Sequence, residues 1–438
     1  MNNISNSTAI LLGRETATGR AIELGQEGHV LTIAPTGAGK GVSALIPALL
    51  TYPGQAIVLD CKGEAVAVTR RYREQELGQA VTVLDPFGVT GAPACRLNPF
   101  DLLPADPVEA GPELLAFSEL LAPGNSGTSD PYWGLAARQL ICGLLAHYVS
   151  STGSRDRNLA GFLDVMARTL TDAETLAREM AHSGIASVRT QAQLVADSRN
   201  NHDTARDVVS HAATMLSGLR GRATREATAS TDFDLDALRR GDPMTIYLVI
   251  PPNRLQSGGR LLRMWVGMLS SLLMGRRQRP LHSTLLLIDE AAQLGRMELF
   301  VTAMTLYRGY GIQCWSFWQD FSQLQSLYPE DWQTIVNNAA AIQAFGPSCI
   351  SMAREFRHLM PESSAFDLLS MKRDSLLLAR AGEAGRIVQR IDYLKDHHFI
   401  GRPDPNPYYV VAAYPFLSRP SSAGQVITDK KGEPPSLL

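Results

Sequence analysis

The octapeptide Ala34-Pro35-Thr36-Gly37-Ala38-Gly39-Lys40-Gly41 restricts the fold more than any other segment. It directly follows the short apolar run His29–Ala34 and opens a helical stretch that continues through Leu50. A glycine-bearing turn between a strand and a helix lets backbone N–H groups close around phosphate oxygens. The helix N-terminus adds positive potential, and a lysine at the Lys40 position reaches the β- and γ-phosphates. Only six of the 41 basic residues are lysines, a skew that a coding bias toward arginine accounts for, so Lys40 is not filler. The turn therefore predicts an α/β sheet and nucleotide binding over Thr36, Gly37, Ala38, Gly39, Lys40, Gly41 and Val42. It departs from G-x-x-x-x-G-K-[ST] at both ends: Ala34 replaces the first glycine, and Gly41 stands where a hydroxyl normally meets Mg²⁺.

A phosphate loop of this type needs an acid at the tip of another strand. Leu285-Leu286-Leu287-Ile288-Asp289-Glu290 supplies an apolar run ending in two carboxylates. Asp289 is placed to hold Mg²⁺ through water and Glu290 to act as general base on an attacking water. Lys40 and Asp289 are separated by more than half the chain, too far for one compact α/β unit unless something is inserted between them. After Asp289 come a helix ending near Arg308, a strand Gly311–Phe317, and Gln319 at that strand's C-terminal tip. Ligands of parallel sheets lie at those tips, so Gln319 is expected at the γ-phosphate. Arg308 has two readings: a helix-terminal cation satisfying the helix dipole, or an arginine reaching a neighbouring subunit's nucleotide.

Further strands are expected at Ala56–Asp60, Ala80–Leu84, Met244–Ile250 and Ala340–Phe345, with helices over Glu64–Leu77, Gly258–Arg277 and Arg296–Arg308. Apolar runs of this kind with intervening helices imply a mostly parallel sheet covered on both faces. From Pro104 to Thr231 the strand signal disappears. Trp133, Ala137, Leu140, Ile141, Leu144, Leu145 and Tyr148 repeat at helical spacing, and further helices are expected at 159–170, 173–182, 185–196 and 204–219. The expected organisation is a split α/β domain (1–103 and 232–415), an inserted all-α domain (104–231) and a disordered tail (416–438).

Charge bounds the partners. With 41 Lys+Arg against 43 Asp+Glu the net charge is −2, which excludes a basic nucleic-acid coat and leaves a local patch or a lined channel. Candidate patches are Arg220, Arg222 and Arg225, and Arg276, Arg277 and Arg279; each also reads as a solvated face. Trp315, Phe317, Trp318 and Phe321 are read as core rather than as base-stacking platforms. Five scattered cysteines without a C-x-x-C pair argue against a zinc ribbon or disulfide framework, and no apolar stretch is long enough to cross a bilayer.

Taken in order, Ala34–Val42 (APTGAGKGV), Val58–Glu64 (VLDCKGE), Asp85-Pro86-Phe87, Leu97-Asn98-Pro99-Phe100, Asp130–Leu145 (DPYWGLAARQLICGLL), Leu287–Gly295 (LIDEAAQLG) and Trp318–Leu324 (WQDFSQL) resemble the TraG/TraD-type coupling proteins of type IV secretion, over about residues 10–415. The resemblance implies a RecA-like P-loop NTPase fold related to hexameric DNA pumps, with ATP and Mg²⁺ as cofactors and ATP hydrolysed at subunit interfaces of a homo-hexameric ring. Gly41 after Lys40 is usual in that branch, while Cys61 stands where the family often has proline. The family's trans-acting arginine matches Arg308 and its glutamine matches Gln319. DNA, relaxase–DNA complexes or effector proteins are the implied cargo, delivered to the secretion channel, with the helical insertion facing them. Such proteins usually begin with a membrane-spanning hairpin. Here 33 residues precede Ala34 and none can span, so membrane contact is expected only through partners, in the cytoplasm or at the cytoplasmic face of the inner membrane. Two other readings stay open: a recruitment platform for effectors that barely hydrolyses ATP, and a cytoplasmic DNA-handling ATPase.

Overall fold

In the computed structural model, which describes residues 8–26, 28–104, 106, 110–123, 131–199 and 203–408, the apolar runs become a single sheet of eleven strands. In chain order these are β1 (Ile10–Arg14), β2 (Ala21–Leu24), β3 (His29–Ile33), β4 (Ala56–Leu59), β5 (Ala80–Leu84), β6 (Met244–Leu248), β7 (Thr284–Ile288), β8 (Ile312–Trp318), β9 (Ala339–Phe345), β10 (Ser375–Arg380) and β11 (Arg386–Gln389). Their spatial order is β2-β1-β11-β10-β9-β3-β8-β7-β4-β6-β5.

The seven strands from β9 to β5 are parallel. These are the seven that the apolar runs predict, with bounds shifted by a residue or two. The reason is burial on both faces: Leu285 and Leu287 enter one core, Leu286 and Ile288 the other. At about 1.5–3 kcal/mol for each fully buried aliphatic side chain, such a strand is stable only inside. Four antiparallel strands, β10, β11, β1 and β2, extend the sheet beyond β9 and are an addition to the expected architecture. They are legible only in part, because β11 buries Val388 alone and β2 alternates half-buried with buried positions.

Between β5 and β6 the described residues form helices and no strand. The predicted amphipathic helix spans Pro131–Ser151, and those after it span Leu159–Thr171, Ala173–Ala181, Ala186–Asp197 and Asp203–Leu216. Leu140, Ile141, Leu144 and Phe162 from these helices join Ile33, Leu59 and Ile288 in one continuous core, so the helical segment covers one face of the sheet. Trp315, Phe317, Trp318 and Phe321 are buried, in keeping with their reading as core. All five cysteines are free thiols. No described helix is long and apolar enough to cross a membrane. Asp130 and the tail 416–438 lie outside the described residues.

One basic candidate is corrected. Arg276 is buried, and its guanidinium donates to Arg239 O, Gln55 Oε1 and Thr284 Oγ1 at 2.8, 2.9 and 2.7 Å, so no donor edge faces a nucleic acid. Burial pulls it down to about 10. Arg277 and Arg279 are exposed, as are Arg220, Arg222 and Arg225; Arg222 pairs with Glu226 at 2.7 Å and Arg225 with Asp164 at 3.7 Å.

Candidate nucleotide site

The loop after β3 turns where glycine is required: Gly37 and Gly39 have φ of +79° and +89°, a region that strains other residues. The chain enters the next helix through an i→i+5 turn, Gly41–Leu45, before Ile46–Thr51. Thr36 and Gly37 are exposed at the loop's crest, while Ala38, Gly39, Lys40, Gly41 and Val42 are half-buried.

Two strand tips, those of β7 and β8, converge on the loop. Lys40 Nζ lies 2.9 Å from Asp289 Oδ1 and also donates to Glu290 Oε1. Gln319 Nε2, at the tip of β8, donates to Glu290 Oε2 at 3.1 Å. The register places these tips together, since β8 lies between β3 and β7 with Ile33 opposite Trp318 and Ile288 opposite Ser316. Gln319 is held by the start of the helix Phe321–Leu327: its N–H donates to Gln323 Oε1 at 3.0 Å, and Asp320 caps the Gln323 N–H at 2.8 Å. Glu290, with φ of 51°, is the only described non-glycine residue of positive φ. Asp289 Oδ1 accepts its N–H at 3.1 Å, and Arg263 ties down the following turn through Leu294 O and Arg296 O. This is a backbone cost maintained by surrounding contacts, a pattern concentrated at functional positions.

The charges are coupled. Burial pulls the Lys40 ammonium down, but the two carboxylates outweigh it and hold it above the ordinary lysine value. Burial pushes Asp289 up, and Lys40 offsets that only in part. Burial also raises Glu290, but Lys40 and the Gln319 amide more than reverse it and hold it below the ordinary glutamate value.

Two acids in the Val58–Glu64 stretch complete the cavity beside the loop. Asp60, at the tip of β4 next to Asp289, is buried and accepts the N–H groups of Lys62, Glu64 and Val66 at 3.3, 3.1 and 2.9 Å, capping the helix Glu64–Arg71. Burial pushes it up to about 6 despite those bonds. Glu64 faces Gly41, where a Cβ would lie 3.7 Å from Glu64 Oε1. Gly37, Gly39, Lys40, Gly41, Asp60, Lys62, Glu64 and Asp289 line a cavity of about 100 Å³. Carboxylate oxygens beside an anion-binding loop are the hard donors that suit Mg²⁺ held with waters and phosphate, so the residues present fit that pair. Asp60 carries the same local signal as Asp289, an acid closing an apolar run, and was readable on that ground. Arg390, whose Nη1 donates to Ala38 O at 2.6 Å, carries no local signal.

Arg308 is not part of this cluster. It is exposed at the start of β8, the end of the sheet remote from the loop, where its charge adds to burial in depressing His29 to about 4.

Comparison with known proteins agrees with this architecture. The family described as Type IV secretory system Conjugative DNA transfer matches residues 9–355. Conjugal transfer protein TraG of Escherichia coli is 26% identical over 383 residues, covering 83% of this chain and 60% of that protein. Protein VirD4 of Rhizobium radiobacter is 26% identical over 398 residues, covering 86% and 56%. The chain thus spans about 60% or less of the length of these curated relatives. Among solved structures, the bacterial conjugative coupling protein TrwBdeltaN70 superposes with a TM-score of 0.62 at 14% identity, over 86% of this chain and 88% of that one. TrwB has also been solved with ADP and Mg²⁺ (TM-score 0.61, 14% identity, 86% and 89% covered). The fold is the RecA-like P-loop NTPase fold with a mostly parallel sheet.

Proposed function

The chain belongs to the type IV secretory system conjugative DNA transfer family, and from that premise we propose that it is an ATP-dependent coupling motor that passes DNA, relaxase–DNA complexes or effector proteins into a type IV secretion channel. The observation that carries the reading is the convergence of Lys40, Asp289, Glu290 and Gln319 on one loop.

ATP sits on Thr36–Val42, with the loop N–H groups and Lys40 on its phosphates. Four negative charges on the nucleotide compete with two carboxylates for the Lys40 ammonium, so Lys40 turns from Asp289 and Glu290 toward the phosphates as ATP binds. Asp289 would hold Mg²⁺ through water, and the ion would supply charge neutralisation at the phosphates. Departure of Lys40 makes the Glu290 carboxylate more basic, and it takes a proton from water while that water's oxygen bonds to the γ-phosphorus and the β–γ bridging P–O bond breaks, leaving ADP and phosphate. Gln319, hydrogen-bonded to Glu290, orients the same water and senses the γ-phosphate. Arg308, remote from its own site, reaches the nucleotide of the next subunit in a homo-hexameric ring. The helical segment 104–231 acts as the substrate-facing domain. Work takes place at the cytoplasmic face of the inner membrane. TrwB's complex with ADP and Mg²⁺ and the shared fold support the nucleotide assignment.

ATP hydrolysis by the purified chain, with and without single- and double-stranded DNA, tests this. Lys40→Ala is expected to lose ATP binding, and Glu290→Gln to bind ATP without turning it over. Undiminished turnover in either variant overturns the assignment. ATP binding whose slow turnover DNA leaves unchanged, together with tight effector binding, replaces the motor with a recruitment platform.

A further inference from the structure

The antiparallel extension of the sheet brings one cation to the phosphate loop that the reading above does not use. Arg390 directly follows β11, and its backbone N–H is fixed by Asp374 O at 2.9 Å. Its guanidinium stands 5.8 Å from the ring centroid of Phe345, the last residue of β9, and Nη1 donates to Ala38 O at 2.6 Å. A Cβ on Gly39 would lie 3.5 Å from Nη1, so the guanidinium occupies the space beside the loop's second strained glycine. Three residues on, the Tyr393 N–H donates to Val42 O at 3.4 Å, so segment 390–393 flanks the loop from Ala38 to Val42.

The side of approach matters. Asp289, Glu290 and Gln319 come from β7 and β8, on one side of β3, and mark where the γ-phosphate and the attacking water lie. Arg390 comes from the other side, over β9. Among the described residues it has no ion-pair partner; Asp374 and Asp392 act on it only at longer range. A half-buried guanidinium that spends one N–H on a neutral carbonyl keeps most of its planar donor fork for a stronger acceptor. Phosphate oxygens are that acceptor, since charge-assisted bonds are about twice as strong as neutral ones. Arg390 also lies outside the 9–355 stretch matched by the family.

We propose that Arg390 is a further nucleotide-binding residue, reaching the phosphate chain in cis from the β9 side of the loop while Lys40 reaches it from the side of Asp289. The proposal rests on the ATP-binding reading. Arg390 exchanges the Ala38 carbonyl for phosphate oxygens as nucleotide arrives, which couples the β10–β11 hairpin to occupancy of the site.

The test is equilibrium binding of a fluorescent ADP analogue to the full chain, with ATP, ADP and adenosine as competitors. Arg390→Gln keeps a neutral N–H donor for Ala38 but drops the charge; Arg390→Lys keeps the charge. ADP and ATP are expected to bind Arg390→Gln about tenfold or more weakly and Arg390→Lys within about fivefold of the native chain, with adenosine unaffected. Native-like affinity in Arg390→Gln, or better rescue by Gln than by Lys, overturns the proposal and leaves a strut to Ala38. If the native chain binds no nucleotide while its fold is intact, the ATP-binding reading itself fails. Should Arg390→Gln not fold, phenylglyoxal modification of the native protein read by mass spectrometry decides: ADP is expected to protect Arg390, and unchanged labelling overturns the proposal.

Discussion

Lys40 and Asp289 form an ion pair, Nζ to Oδ1 at 2.9 Å, between a loop after β3 and the tip of β7, and the same ammonium also holds Glu290. The pair keeps two adjacent, largely buried carboxylates charged together, which neither would tolerate alone. Lys40→Ala is therefore expected to lower the stability of the nucleotide-free protein by about 2–4 kcal/mol near neutral pH. Glu290 is held below its ordinary value of 4.5, so its share is present above that value and is lost as pH falls through the lower folded value. Urea unfolding near neutral and in acid should show the gap between native and variant closing in acid. Equal urea midpoints at neutral pH would contradict the coupling.

Gln319 Nε2 donates to Glu290 Oε2 at 3.1 Å, so a change of charge at position 319 acts directly on Glu290. Gln319→Glu places a second carboxylate there, which disfavours ionisation of Glu290 and raises its pKa. Under the proposed function kcat should fall about tenfold or more, with KM little changed. The acid limb of the pH–rate profile should move to higher pH. An unmoved limb would mean that Gln319 does not act on Glu290.

Asp60 gives a pH dependence of the opposite sign. Burial raises it from 3.8 to about 6, so the folded state holds its proton more tightly than the unfolded chain does. The resulting stability is complete at pH below the unfolded value and is lost as pH climbs from there through the folded one. Against Asp60→Asn, which does not titrate, the native protein should lose up to about 3 kcal/mol across that window. Urea melts of both proteins at the two ends of the window measure this, and a constant difference would refute it.

Arg276 should behave as a core residue. Arg276→Met removes the donor to Gln55 Oε1, Thr284 Oγ1 and the carbonyls of Leu238 and Arg239, leaving the two side-chain oxygens only their mutual 2.6 Å bond, and is expected to cost about 3–5 kcal/mol in urea unfolding. In the folded fraction the salt dependence of DNA binding should not change, whereas loss of a phosphate contact lowers the slope by about one. A lowered slope would restore Arg276 as a nucleic-acid contact.

The parts of the site that were legible share one property: each lies at the C-terminal tip of an apolar run. Lys40 follows β3, Asp289 and Glu290 follow β7, and Gln319 follows β8, so their chemistry could be read beside an unmistakable buried strand. Asp60 had the same signature, but its burial and its three backbone donors depend on how the chain turns into the helix Glu64–Arg71. Arg276 looked like a surface cation at a helix end because nothing local announces that Gln55, Thr284 and Arg239 close around it.

What the sequence determined by itself was the presence of a phosphate loop, its acidic partner strand and the parallel sheet that joins them. Those rest on local properties: glycine where φ is positive, a scarce lysine, and strands apolar on both faces. Tertiary structure alone decided that Lys40 is held by both acids, that Arg308 faces away from its own loop, and that Arg390 stands beside Ala38. These depend on which strands become neighbours. For Lys40 and Arg308 the deciding neighbours are β3, β8 and β7; for Arg390 they are Arg14 with Gln389 and Leu376 with Phe345, which join the weakly patterned β11 and its hairpin partner to the sheet, the first of them across nearly the whole chain. Their register is set by the packing of the completed sheet, which no local stretch of residues encodes.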